Sequence, residues 1–133
     1  MASKKQVFIS FDYDKDGHYK NLLLAWDAND EFDFSLYDGS LKDAINSTNA
    51  AYIKSQIRPK IAAATHLLCI VGEESAASDW IAWEITTAAG FDKKLIGVKI
   101  DKAYTSPPSL LSNGATWAMS FTFAAIKKAL ESA

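Results

Sequence analysis

The chain has 133 residues, 49% hydrophobic and 23% charged, with 6 glycines, 3 prolines and a formal net charge of −2. That length suits one domain with its own core, and the modest glycine and proline content excludes disordered and fibrous classes. The mild acidity, with a pI near 5.6, argues against a nucleic-acid module, and no apolar run approaches the 18 residues of a membrane span.

The opening stretch MASKKQVFIS lacks the apolar segment of a secretory signal. Cys69 is the one cysteine, which rules out an intramolecular disulfide and suits a reducing setting. A soluble, cytoplasmic protein of one domain, residues 1–133, is the expectation.

In chain order, QVFISF at 6–11 reads as a strand, rich in branched and aromatic residues. A helix follows over 17–28, with Leu22, Leu23 and Trp26 at helical spacing. DFSLY at 33–37 is a shorter strand. Residues 49–64 carry Ile53, Ile57 and Ile61 on one helical face, and Arg58–Pro59 is expected to kink or divide that helix. HLLCIVG at 66–72 and LIGVKI at 95–100 are further strands. Between them, 79–91 forms a helix with Ile81, Ile85, Ala88 and Ala89 in one stripe, ending at Gly90. TWAM at 116–119 is a weaker strand, and Phe123, Ile126 and Leu130 mark a closing helix over 121–131.

Near-continuous apolar runs point to strands buried on both faces, as in parallel sheets. Strand alternating with helix makes this an α/β domain. Five strands in a parallel sheet, helices on both faces and the flavodoxin-like order 2-1-3-4-5 form the natural architecture.

Ligands of such sheets bind beyond the carboxyl ends of the strands. Those positions read Asp12-Tyr13-Asp14, Asp38-Gly39-Ser40, Gly72-Glu73-Glu74-Ser75 and Asp101-Lys102, an acidic, hydroxyl-rich rim. No GxGxxG and no GxxxxGK[ST] is present, which leaves a dinucleotide fingerprint unsupported and excludes a P-loop. A phospho-receiver would need an aspartate after the third strand, where this chain has IVGEES. His18 and His66 have no Cys or His partner at ligand spacing, so no metal is expected.

SDWIAWEI at 78–85 stands apart. Ser78 suits an N-cap, with Asp79 in the first turn to complement the helix dipole. Ile81, Ile85, Ala88 and Ala89 should face the sheet. Trp80 and Glu84 are four apart, hence stacked on the adjoining face. Glu84 then falls at the border of the buried stripe beside an indole, where desolvation raises a carboxyl pKa. Such a group can bind sugar hydroxyls or stabilise an oxocarbenium-like transition state. A boundary glutamate paired with a lysine, with both tryptophans in the core, explains the same pattern.

The stretches VFISFDYDKDGHYKNLL, SLYDGS, IKSQIRPKIAAATHLLCIVGEESAASDWIAWEI and KKLIGVKID, spanning roughly residues 5–101, resemble the TIR-like domain of small bacterial and archaeal proteins. That family includes the TIR subunits of the Thoeris antiphage defence system. The resemblance implies a flavodoxin-like TIR fold and cleavage of the nicotinamide–ribose bond of NAD+, with NAD+ as substrate and no cofactor. Glu84 takes the place of the family's essential catalytic glutamate, and Trp80 that of a pocket tryptophan associated with cyclised products. Phe11, Asp12 and Tyr13 after the first strand, and Tyr37 and Asp38 after the second, would complete the site. Many members carry His where this chain has Asp12, so the resemblance gives that position no defined role. Trp83 is a further candidate for the pocket wall, equally explained by core packing or a subunit interface.

The family also implies self-association through TIR surfaces, a phage-derived trigger and a separate effector that reads an ADP-ribose or cyclic ADP-ribose signal. Two other functions remain open on these residues. One is a non-enzymatic TIR scaffold; the other is a nucleoside deoxyribosyltransferase, which also sets an acidic group against a sugar carbon.

Overall fold

The computed structural model describes residues 5–12, 15–28, 34–37 and 50–133. Five parallel strands, β1 (Lys5–Ser10), β2 (Phe34–Tyr37), β3 (His66–Val71), β4 (Lys94–Lys99) and β5 (Thr116–Ala118), form one sheet in the order β2-β1-β3-β4-β5. Their registers place Ser10 beside Cys69, and Val71 beside Lys99. Helices α1 (Gly17–Ala28), α2 (Ala50–Ala63), α3 (Asp79–Gly90), α4 (Pro108–Ser112) and α5 (Phe123–Ser132) connect and flank the strands.

The alternation of side chains along each strand divides the core in two. Val7, Ile9, Leu68, Ile70, Ile96 and Val98 point to one face, where Leu23 of α1 and Ile126, Ala129 and Leu130 of α5 cover them. Phe8, Leu67, Cys69, Val71 and Leu95 point to the other, against Ile53, Ile57 and Ile61 of α2, Ile81, Ile85 and Ala88 of α3 and Leu110 of α4. Central β3 is buried at every position, which is why its sequence from Leu67 to Val71 is an unbroken apolar run. Each fully buried Leu or Ile contributes roughly 1.5–3 kcal/mol.

Glycine matters where layers touch closely. A Cβ on Gly97 in β4 would run into the indole of Trp117 on neighbouring β5. The ring occupies the space that a side chain there would need. After α3 the chain turns through Asp92, whose φ of 59° is the left-handed conformation that Asp tolerates better than most residues.

Helix α2 runs unbroken from Ala50 to Ala63 with Pro59 inside it, so of the kink or division expected there, the division does not occur. The five-residue α4 opens with Pro107–Pro108, and is too short for a periodic signal in the sequence. Among the described residues no helix is long and apolar enough to cross a membrane.

Candidate active site

The chain leaves β1 toward β2 on one side and β3 toward β4 on the other, so the sheet has its topological switch point between β1 and β3. The carboxyl ends of these two strands open the crevice in which α/β sheets bind ligands. Ser10 ends β1 there, on the face of α2 and α3. Helix α3 delivers Glu84 to the same place.

The delivery begins with the cap. Ser78 Oγ accepts a hydrogen bond from the Ile81 N–H at 3.1 Å, satisfying an otherwise orphaned donor. Ile81, Ile85 and Ala88 then seal the helix against the sheet. Glu84 belongs to the same stripe, and only 1% of its surface is exposed. The sequence placed it at the border of that stripe; α3 lies close enough to the sheet to enclose it.

Ser10 Oγ donates to Glu84 Oε1 at 2.9 Å. Glu84 Oε2 is buried and has no hydrogen-bond partner among the described residues. Burial pushes the Glu84 carboxyl up to about 8, and the Ser10 hydrogen bond, which favours the charged form, opposes the shift. A charged carboxylate in such a place costs several kcal/mol, so the free site holds the proton near neutral pH. Fully buried Cys69 lies beside Ser10, and the desolvated thiol is pushed up further by Glu84 and Asp16.

Asp16 is a second buried acid at this rim, with 5% of its surface exposed. Its carboxyl packs so tightly on Gly72, just beyond β3, that a Cβ there would overlap it. Asp16 Oδ2 has no partner among the described residues. Burial, then the negative charges of Asp12, Glu73 and Glu74, raise its pKa to about 6, with Lys15 opposing. Ser75 holds the turn after β3 by accepting from the Gly72 N–H at 2.8 Å and donating to the Ile70 carbonyl at 3.1 Å.

The tryptophans form the flank of α3 that meets α2. Trp80 and Trp83 are half-buried, with ring centroids 5.6 Å apart. Lys54 Nζ sits 5.9 Å from the Trp80 centroid and 5.3 Å from that of Trp83. Arg58 Cζ lies 5.6 Å from Trp83.

Residues 8–105 match the family model described as Thoeris protein ThsB, TIR-like domain. The chain belongs to this family. A comparison with curated proteins gives no match. Among solved structures, this TIR-like domain is similar to the Clostridium botulinum CMP N-glycosidase BcmB, with a TM-score of 0.62 and 13% identity over 96% of this chain and 98% of that one. It is also similar to the 2-desoxiribosyltransferase from Leishmania mexicana, with a TM-score of 0.56 and 18% identity over 89% and 77% of the two chains. At such identities the likeness concerns the fold.

In the TIR-like domain, Glu84, Trp80 and Trp83 share α3 at the crevice. Asp12 is half-buried just past β1, where its carbonyl accepts from the Asp16 N–H at 2.8 Å. Phe11 goes elsewhere: it is buried in the core beneath α1, on the face opposite Glu84. Chain alternation explains this, since Phe11 continues the Val7–Ile9 side of β1. Tyr13 and Asp38 lie outside the described residues, as does the side chain of Tyr37.

Ser10, Asp16, Lys54 and Arg58 were missed in the sequence. Ser10 had a readable signal, a hydroxyl at an inward position of an otherwise apolar strand. The other three depend on contacts between distant segments. The clefts lined by Gln6, Pro59 and Ala63 and by Asp92, Lys94 and Gly114 lie at the amino end of the strands, away from Glu84.

Proposed function

We propose that the TIR-like domain cleaves the N-glycosidic bond between nicotinamide and ribose in NAD+, with Glu84 as the catalytic residue. The observation that carries this reading is the state of Glu84. It is buried, tethered through one oxygen to Ser10, and its other oxygen has no partner among the described residues. A scaffold would gain nothing from burying a carboxyl in this way, because an unsatisfied polar atom costs about 1–3 kcal/mol. Family membership supports the reading, and so does a fold shared with proteins named as a CMP N-glycosidase and a 2-desoxiribosyltransferase.

Breaking the C1′–N bond sends its electron pair to the ring nitrogen, and nicotinamide departs neutral without needing a proton. The ribosyl carbon is left with oxocarbenium character. Ionised Glu84, held in register by Ser10, stabilises that charge. The positive pyridinium of bound NAD+ favours the ionised form, countering the desolvation that keeps the free site protonated. Water adding to C1′ and losing a proton gives ADP-ribose. Attack by a nucleophile within the same molecule gives a cyclic isomer.

A second reading has its own support in the similarity to BcmB over nearly the whole of both chains. The substrate would then be a nucleoside or nucleotide whose departing base needs protonation, and protonated Glu84 would serve as the acid. Incubation with NAD+ and with CMP, with products identified by mass spectrometry, separates the two. Nicotinamide release that vanishes in Glu84→Gln supports the first reading; free cytosine supports the second. Under the first, the product passes to a separate effector protein in antiphage signalling, and a phage-derived trigger with self-association sets the activity.

A further inference from the structure

Helix α2 brings two cations, Lys54 and Arg58, against the tryptophans of α3. Its carboxyl end lies at the start of β1, where the Thr65 N–H donates to the Gln6 carbonyl at 2.8 Å. Lys54 is nine residues upstream of Ala63, where the helix ends, roughly 13–14 Å along its axis. Ser10 is four residues beyond Gln6, roughly 13 Å along a strand. Lys54 therefore stands level with Ser10, at the carboxyl end of the sheet. Trp80 and Trp83, against which its ammonium rests, bracket the turn of α3 that leads into Glu84.

Lys54 and Arg58 are one helical turn apart and converge on the Trp83 ring. Among the described residues neither forms an ion pair. Elsewhere the rim is acidic, with Asp12, Asp16, Glu73, Glu74 and exposed Asp79. Lys15 faces Glu74 at 4.0 Å, and Lys99 donates to the Tyr104 carbonyl and the Ser106 hydroxyl. Among the described residues, a polyanion approaching the crevice meets acidic side chains beside β1 and β3 and two cations along the α2–α3 edge.

We propose that Lys54, backed by Arg58 and seated on Trp80 and Trp83, is the phosphate-recognition point of this site and selects phosphorylated nucleotides over free nucleosides. The orientation rests on the reading of Glu84 as the reacting group: the scissile bond lies at Glu84 and the phosphates run out toward α2. Cations held on indole faces are partly desolvated, which strengthens their attraction for phosphate.

The test uses NAD+ and nicotinamide riboside, which share the glycosidic bond and differ in the phosphates. Binding is measured by calorimetry on the full chain carrying Glu84→Gln, alone and with Lys54→Met or Lys54→Arg. Methionine keeps an unbranched stem against the indoles without the charge, and unchanged thermal melting of Lys54→Met verifies that packing. Lys54→Met should weaken NAD+ binding by about tenfold or more and flatten its salt dependence. It should leave nicotinamide riboside binding as it was, and Lys54→Arg should retain most of the affinity. Unchanged NAD+ affinity, equal weakening of both ligands, or no binding of NAD+ overturns the proposal. Lys54-dependent binding of NAD+ by a wild-type chain that never cleaves it would uphold this site and remove the catalytic reading instead.

Discussion

Ser10 Oγ and Glu84 Oε1 meet at 2.9 Å across 74 residues of sequence. One residue ends the first strand, the other lies in the second turn of α3, and the sheet order brings them to the same crevice. The bond favours ionised Glu84 in surroundings that otherwise hold it protonated.

The sign of the pH dependence follows. With the free-enzyme carboxyl near 8, a mechanism that uses ionised Glu84 gains kcat/KM for NAD+ as pH rises toward 8. Below that the rate drops about tenfold per pH unit. A mechanism that uses Glu84 as an acid shows the opposite limb, falling above 8. A pH–rate profile between 6 and 9 tells them apart.

Ser10→Ala removes the contact that holds this pKa down. The ionisation of Glu84 should move to higher pH, and kcat/KM at pH 7 should fall by about tenfold for each unit of that move. The readout is the midpoint of the pH–rate profile in the variant. An unmoved midpoint with a uniformly lower rate would assign Ser10 to packing alone.

Folding should register the same proton. The Glu84 pKa is raised from its ordinary 4.5 to about 8, so between those values the folded chain holds a proton that the unfolded chain has released. Its contribution to stability is fully present below about 4.5 and is lost as pH rises toward 8, at up to about 1.4 kcal/mol per pH unit. Glu84→Gln abolishes this loss. Its Tm should exceed that of the wild type more at pH 8 than at pH 5, measured by calorimetry; a constant difference would contradict the burial of an ionisable Glu84.

Gly72 and Asp16 should be coupled. A methyl group at position 72 overlaps the Asp16 carboxyl, so Gly72→Ala should cost about 1–3 kcal/mol. In an Asp16→Ala background the same substitution should cost much less, with an interaction energy of about 1 kcal/mol or more in urea melts. Additive effects would mean that Asp16 turns aside freely.

Much of the fold could be read from residues alone. The apolar runs at 66–72 and 95–100 gave buried strands because central parallel strands leave no polar face. The Ile81–Ile85–Ala88 stripe gave α3 its orientation, and Ser78 its start. Pro59 does not divide α2, because a helix packed through Ile53, Ile57 and Ile61 tolerates one lost hydrogen bond. Glu84 was legible as a candidate, yet its depth was not, since helical angle alone does not say how closely α3 approaches the sheet. The resemblance implies a pocket role for Phe11, whereas the alternation of β1 carries it to the α1 face with Val7 and Ile9. The Lys54–Trp83 and Asp16–Gly72 contacts join distant segments, and no periodicity encodes them.

Glu84 is proposed to break the nicotinamide–ribose bond. The most direct test is mass spectrometry of NAD+ incubated with wild-type and Glu84→Gln protein, each with and without lysate of phage-infected cells. The wild type should yield nicotinamide together with ADP-ribose or a cyclic isomer, and Glu84→Gln neither product in either condition. Equal nicotinamide release by both proteins, or intact NAD+ with the wild type in both conditions, would contradict that role.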